Sequence, residues 1–397
     1  MSCLAPRVWR KPCWLVSAAW VMFGQLNVTC AEEGVALEHQ IASLLSVEKE
    51  GKGNEEATAA WKRIAAVDAY SIPKILAAID QAKPISANYI RSAVDAIAGR
   101  AKGENSPLPT AELETFLRTI SHSPHARRFA YELLVAVDPS AKDRWVSTFL
   151  LDPSPELRRD SVEYWQGLGE KELSANGKDK AIELFEKAFS GAVDEDQVTA
   201  LAKKLEDLGR PVDVPTHFGY IQNWKVIGPF DNTGEKGYDT VYPPEEKIEL
   251  TAKYPGKGKE VSWVDLTTTH QLAKVDLQKG IEKAKGVIGY GYAIVTMPEA
   301  RDAQLRISTP NGWKIWLNGN YIFGKAEYHS GEFFDQTVVD VRLNKGDNAV
   351  LVKCCQNEQT EPWTNVWRYQ VRVCDSSGTA ILASNRPKVQ TIFEKED

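Results

Sequence analysis

Long apolar runs are nearly missing from this 397-residue chain. The most apolar stretch, Cys13 to Phe23, is about half the roughly 20 residues that a membrane-crossing helix requires. A surplus of basic residues is missing as well. The 48 Lys and Arg face 54 Asp and Glu, a net charge of −6, which excludes the basic face of a nucleic-acid binder. Cysteine is scarce, and no Cys-x-x-Cys occurs, so neither a zinc ribbon nor a thioredoxin-like site is indicated. Gly-x-Ser-x-Gly and His-Glu-x-x-His are also absent. What remains is ordinary globular composition, 43% hydrophobic and 26% charged, in a length that predicts two or three domains.

The N-terminus reads as a secretory signal over 1–31. Arg7, Arg10 and Lys11 supply the positive start, Cys13–Phe23 the apolar stretch, and Thr29-Cys30-Ala31 small residues for cleavage before Glu32. An uncleaved anchor and lipid attachment at Cys30 are the rivals. Against the second, Asn27 stands where a lipobox wants a Leu-like residue. Cleavage would lower the net charge to −9 and leave a periplasmic or secreted protein with no transmembrane segment. It would also leave three cysteines, Cys354, Cys355 and Cys374, an odd number that cannot be fully paired within one chain. Cys354 shares strand parity with Val350 and Val352 and is expected in a core. Free thiols are the expectation for all three.

Residues 35–208 keep a helical period. Ser71-Ile72-Pro73, Ser86, Thr110, Ser123-Pro124, Ser154-Pro155 and Asp194 mark helix starts, the last with Gln197 at capping-box spacing. Ser123-Pro124-His125-Ala126-Arg127-Arg128 returns 31 residues later as Ser154-Pro155-Glu156-Leu157-Arg158-Arg159. Helix pairs repeating at such a spacing stack into a solenoid, because one pair cannot bury its apolar stripe alone. Two prolines within Gly209-Arg210-Pro211-Val212-Asp213-Val214-Pro215 end the period and predict a linker over 209–216. Beyond it the chain alternates as strands: 220–227, 287–297, 303–308, 313–317, 338–343, 349–355 and 367–374. Asn318-Gly319 is a hairpin turn. Short strands at even spacing predict an antiparallel β-sandwich over 217–385, followed by a charged tail, 386–397.

Several stretches resemble known families. Leu151 to Arg159 resembles the turn and second helix of a HEAT repeat. Trp165, Leu168, Gly169, Ala181, Phe185 and Ala188 follow the tetratricopeptide pattern, with Glu172 and Val193 in place of its Tyr and Pro. Ser308 to Gly319 and Leu343 to Lys353 resemble two strands of galactose-binding-like jelly rolls. Trp224-Lys225-Val226-Ile227-Gly228-Pro229-Phe230 resembles an opening found in multidomain secreted proteins of planctomycete-type bacteria. The resemblance implies an α-solenoid followed by a jelly roll, a module that accompanies glycoside hydrolases. Pro310-Asn311 replaces the family's paired aspartates.

Sugar-binding sandwiches place an aromatic face against the apolar side of a pyranose and polar side chains against its hydroxyls. Three loops carry that mixture: Tyr238 and Asp239; Tyr328 and His329; and Asn357, Glu358, Trp363 and Trp367. These are the candidate glycan-binding residues, with packing in the sandwich as the rival role for each aromatic. Structural calcium on Asp231, Asn232 and Asp239 is a further expectation. No catalytic residue stands out. Glu358 and Glu361 are two carboxylates in one loop without the opposed geometry a glycosidase needs. Ser46-Val47-Glu48-Lys49 lacks its companion motifs, and His122 and His125 flank a helix start without a third ligand. Gly286-x-x-Gly289-x-Gly291 lies in a strand, where it cannot cradle a phosphate. The expected role is a non-catalytic extracytoplasmic binder, the sandwich taking a glycan or surface polymer and the helical repeats a protein. A carbohydrate-active hydrolase or lyase and a purely structural envelope scaffold are the alternatives.

Overall fold

The computed structural model describes residues 36–386; the signal-like segment and the chain from 387 onward lie outside the described residues. The described chain is helical in its N-terminal part and built of antiparallel sheets in its C-terminal part. It divides into two compact units between Trp145 and Val146.

The first unit holds α1 (36–45), α2 (Asn54–Ile64), α3 (Ile72–Ala77), α4 (Pro84–Gly103), α5 (Thr110–Arg118) and α6 (Pro124–Val137). A proline in the first turn starts α3, α4 and α6, where its missing N–H loses no bond. That places Ser86 inside α4 as a buried residue rather than at the helix start. Short α7 (Ala141–Val146) spans the division.

The second unit opens with α8 (Pro155–Ser174), α9 (Lys178–Gly191), α10 (Glu195–Asp207) and α11 (Val214–Phe218). α8 and α9 form a tight hairpin. Gly169 makes the approach possible, since a Cβ there would lie 2.7 Å from the Phe185 ring. The expected capping box at Asp194 does not form. Asp194 instead pairs with Arg159 at 3.0 Å, and Gln197 donates to the Arg159 carbonyl. The 31-residue echo is structural in each unit by itself. Arg127 and Arg158 are both buried and donate through Nε to backbone carbonyls, of Leu117 and Gly191 respectively. The following arginines, Arg128 and Arg159, stay outside in ion pairs.

Two antiparallel sheets complete this unit. The six-stranded sheet runs β4 (Val264–Thr267), β1 (Asn223–Asp231), β6 (Val287–Met297), β11 (Gly346–Gln356), β8 (Gly312–Leu317), β9 (Asn320–Lys325). The four-stranded sheet runs β10 (Thr337–Leu343), β7 (Arg301–Ser308), β12 (Arg368–Cys374), β5 (Val275–Asp276). β2 (Lys253–Pro255) and β3 (Glu260–Ser262) pair with each other. Asn318 and Gly319, at φ 52° and 80°, turn β8 into β9 as their sequence demands.

Three cores follow from this order. One gathers both sheets: Val226, Val350, Val352 and Cys354 from the larger, Leu305, Ile307 and Val371 from the smaller. A second lies on the other face of the six-stranded sheet, where Phe230, Tyr290, Trp316, Leu351 and Cys355 are covered by Tyr238, Tyr242 and Tyr254 of the 232–262 excursion. β11 is therefore buried on both faces, which is why its sequence from Ala349 to Cys355 is apolar apart from Lys353. The third core joins Phe185, Val198 and Leu201 of α9 and α10 to Phe218, Tyr220, Leu272 and Ala273. Val214, within the expected linker, begins α11 and is buried in that third core, with Pro215 in the helix's first turn. The prolines end the helical period there without freeing the chain. β11 and β12 lie in different sheets, not in one hairpin, and Cys354, Cys355 and Cys374 are all free and buried.

Candidate functional site

Antiparallel register brings one end of the six-stranded sheet to a common edge. Asp231 pairs with Val287, Val287 with Gln356, Cys355 with Gly312, and the neighbouring Trp313 with Lys325 at the end of β9. The loops leaving these positions, at 232–238, 326–336 and 357–366, therefore emerge side by side.

Asn232 is the hub beneath them. It is fully buried, and its Nδ2 donates to the Gln356 carbonyl at 3.0 Å and to the Tyr328 hydroxyl at 3.2 Å. Asn357 is the second hub. Its Nδ2 donates to Glu235 Oε1 at 3.0 Å, while its Oδ1 accepts from His329 Nε2 at 2.8 Å and from the Gln359 amide. That pairing assigns the His329 proton to Nε2. His329 takes a left-handed backbone, φ 55°, and its N–H donates to the Pro310 carbonyl at 2.6 Å. The Tyr328 ring lies over Gly312, where a Cβ would come within 3.0 Å of it. Burial raises the Tyr328 phenol well above its ordinary range and keeps it neutral. Glu358 reaches across to accept from the Gly234 amide at 2.6 Å. Lys257 closes the edge, 3.0 Å from Asp231 and donating to the Gly286 carbonyl. The Thr233 hydroxyl and this lysine together hold the Asp231 carboxyl below its usual range.

Trp363 stands on the 357–366 loop with 72% of its surface exposed. The turn that carries it is fastened from below. Thr364 donates to the carbonyls of Gln359 and Glu361, and its own carbonyl accepts from Gln356 Nε2 and Lys285 Nζ. An indole held outward on a pinned turn loses little freedom when a ligand packs against it.

Of the eight residues singled out by sequence, Tyr328, His329, Asn357 and Glu358 come together here, with Trp363 on the same loop. Tyr238 and Asp239 gather instead around Lys314 of β8, whose Nζ lies 4.3 Å from the Tyr238 ring and 3.3 Å from the Asp239 carboxylate. Trp367 is corrected outright. It is completely buried, packs in the core between the sheets, and donates Nε1–H to the Cys354 carbonyl. Its parity with core residue Tyr369 carried that signal. The expected calcium ligands do not share one centre either, since Asp231 faces Lys257, Asp239 faces Lys314, and Asn232 spends its amide on Tyr328 and Gln356. Among the described residues no group of three His, Cys, Asp or Glu could hold a metal. Glu235 has no sequence signal as a site residue, and Asn232, expected only as a calcium ligand, is instead the hub of the loops; the cue for both is the turn-forming run Asp231-Asn232-Thr233-Gly234. Glu358 and Glu361 are both exposed and face no common point defined by a hydrogen bond.

No family model and no curated protein matches this chain. Among solved structures, Faecalibacterium prausnitzii Beta-glucuronidase is similar at 16% identity and a TM-score of 0.21, over 34% of this chain and 21% of that one. So shallow a likeness, across about a fifth of that protein's length, carries no argument about activity.

Proposed function

We propose that the chain is a non-catalytic, extracytoplasmic glycan-binding protein, with its sheets forming a galactose-binding-like jelly roll and its helices a short solenoid for a protein partner. One observation carries the reading: the outward indole of Trp363 shares a loop with Asn357 and Glu358, which His329 and Tyr328 adjoin. An exposed apolar ring face on the loop of the exposed Glu358 carboxylate, with the His329 imidazole adjoining, matches the two-sided chemistry of a sugar, apolar across the ring and hydroxylated at its rim. The helical repeats add a partner surface in this reading because stacked helix pairs present broad, regular faces.

The full chain, titrated calorimetrically against a panel of soluble polysaccharides with reducing ends assayed in the same samples, tests this. Saturable binding without new reducing ends, weakened at least tenfold by Trp363→Ala, is the expected result. Cleavage of any polysaccharide overturns the non-catalytic part. Binding unchanged in Trp363→Ala, or no binding at all, overturns the site.

A further inference from the structure

At the other end of β1 from Asn232, a cavity of about 300 Å³ opens beside Asn223 and Lys225. None of the residues of the loop site lines it. Its size falls at the small end of the roughly 300–1,000 Å³ of ligand clefts. Tyr292, half-buried, supplies an aromatic surface, and Ile221, Ile294 and Ile381 are aliphatic neighbours in the lining.

The charges of the lining decide what fits. Arg386 is in the wall, but its guanidinium is occupied by the Thr216 hydroxyl at 3.0 Å, the Tyr220 carbonyl at 2.6 Å and Gln222 Oε1 at 2.7 Å. It is not available to clamp an anion. The solvent-facing charges are Lys225 and Asp265, direct cross-strand partners whose Nζ and Oδ1 lie 2.6 Å apart. They cancel each other and together offer one strong donor and one strong acceptor. Asn223 adds a carboxamide whose oxygen accepts from Thr267 at 2.8 Å. A ligand of either net charge gains little from this balance. A neutral ring with an apolar face for Tyr292 and adjacent hydroxyls for the Lys225–Asp265 pair uses all of it.

We propose that this cavity is a second carbohydrate site, taking the neutral terminal residue of a glycan. The confined volume favours a chain end over a continuing polymer. The inference shares its ligand class with the reading above but none of its residues. Eight residue steps of β1 separate Asn223 from Asp231, about 26 Å at strand rise, so both sites can be filled at once. A glycan long enough to reach both would bind with the gain of an intramolecular second contact.

The test is calorimetry on the full chain with neutral hexasaccharides of β-1,4-linked glucose, xylose and mannose, and with hexagalacturonate as the charged comparison. The parent is set beside Asp265→Ala, Leu250→Lys and Trp363→Ala. Asp265 and Leu250 are both exposed, so neither change threatens folding, and Leu250→Lys places a long side chain at the cavity lining. Two sites per chain are expected for a neutral hexasaccharide, one weakened at least tenfold by Asp265→Ala and by Leu250→Lys, the other by Trp363→Ala alone. Hexagalacturonate should leave the cavity unoccupied. If both cavity variants titrate like the parent while Trp363→Ala abolishes binding, the cavity site is wrong and the loop site stands. If they abolish binding and Trp363→Ala does not, the reverse holds. Absence of binding by every hexasaccharide overturns the cavity proposal.

Discussion

Lys353 carries a charge into the middle of an apolar strand. Its side chain is fully buried, and Nζ donates to Glu245 Oε1 at 2.8 Å and to the carbonyls of Tyr238 and Thr240. Desolvation pulls its pKa down and the Glu245 carboxylate pulls it back up. Glu245→Gln keeps the shape but removes the compensating charge. Breaking a buried pair in this way costs about 3–5 kcal/mol, and denaturant unfolding should show a loss of that order. The double variant Lys353→Met/Glu245→Leu should recover most of it, because two apolar side chains leave no buried charge behind. At Gly169, substitution by Ala sets a Cβ 2.7 Å from the Phe185 ring and should cost about 1–3 kcal/mol by overpacking. Trp363→Ala, by contrast, should leave the melting temperature unchanged, since an exposed side chain without special contacts is worth within about 0.5 kcal/mol. Sequence offers both Trp363 and Trp367 as candidates, the first in a polar loop and the second in strand parity with Tyr369. The tertiary register turns Trp367 inward between the sheets and leaves Trp363 on a pinned turn.

Strands that are long and apolar were readable, and short ones were not. β6 is found at the bounds its composition indicates, and the β8–β9 turn follows from Asn318-Gly319. β2, β3, β4 and β5, each four residues or fewer, exist because a neighbour offers hydrogen bonds, and no local pattern announces that. The 326–336 segment is another element without a sequence signature. Glu332 accepts from Arg368 at 2.7 Å, and Asp335 binds both Arg372 and Arg306, so this stretch is fastened to the outward face of the four-stranded sheet. The same segment delivers Tyr328 and His329 to the candidate site. In α11, His217 donates to the Ala192 carbonyl, its ring lies tilted 4.1 Å from that of Phe189, and burial lowers its pKa. The unfolded chain therefore takes up that proton first. The stabilisation is complete above the unfolded value of about 6.5 and is lost as pH falls below it toward the folded value. Melting temperatures from pH 8 to pH 5 should drop more steeply for the parent than for His217→Gln.

At the scale of the whole molecule, compositional and physical boundaries differ. The period changes near residue 209, where sequence shows it, but compactness divides the chain at Trp145. α9 and α10 cover Tyr220, Leu272 and Ala273, and Phe334 packs against the same cluster. These partners are scattered along the chain, which is why no local pattern revealed that the helices and sheets share a core. A fragment of residues 146–386 should unfold cooperatively, whereas one beginning at 216 should expose that cluster and aggregate; light scattering and thermal melts distinguish them. Within this unit, β11 places two neighbouring thiols in different layers. Cys354 lies between the sheets with its pKa well above the ordinary value, and Cys355 lies beneath the 232–262 excursion, pushed up to about 12 by burial. Neither can react until its own cover lifts. In single-cysteine variants, alkylation kinetics thus become a pair of clocks one residue apart, one timing the release of the excursion and the other the parting of the sheets.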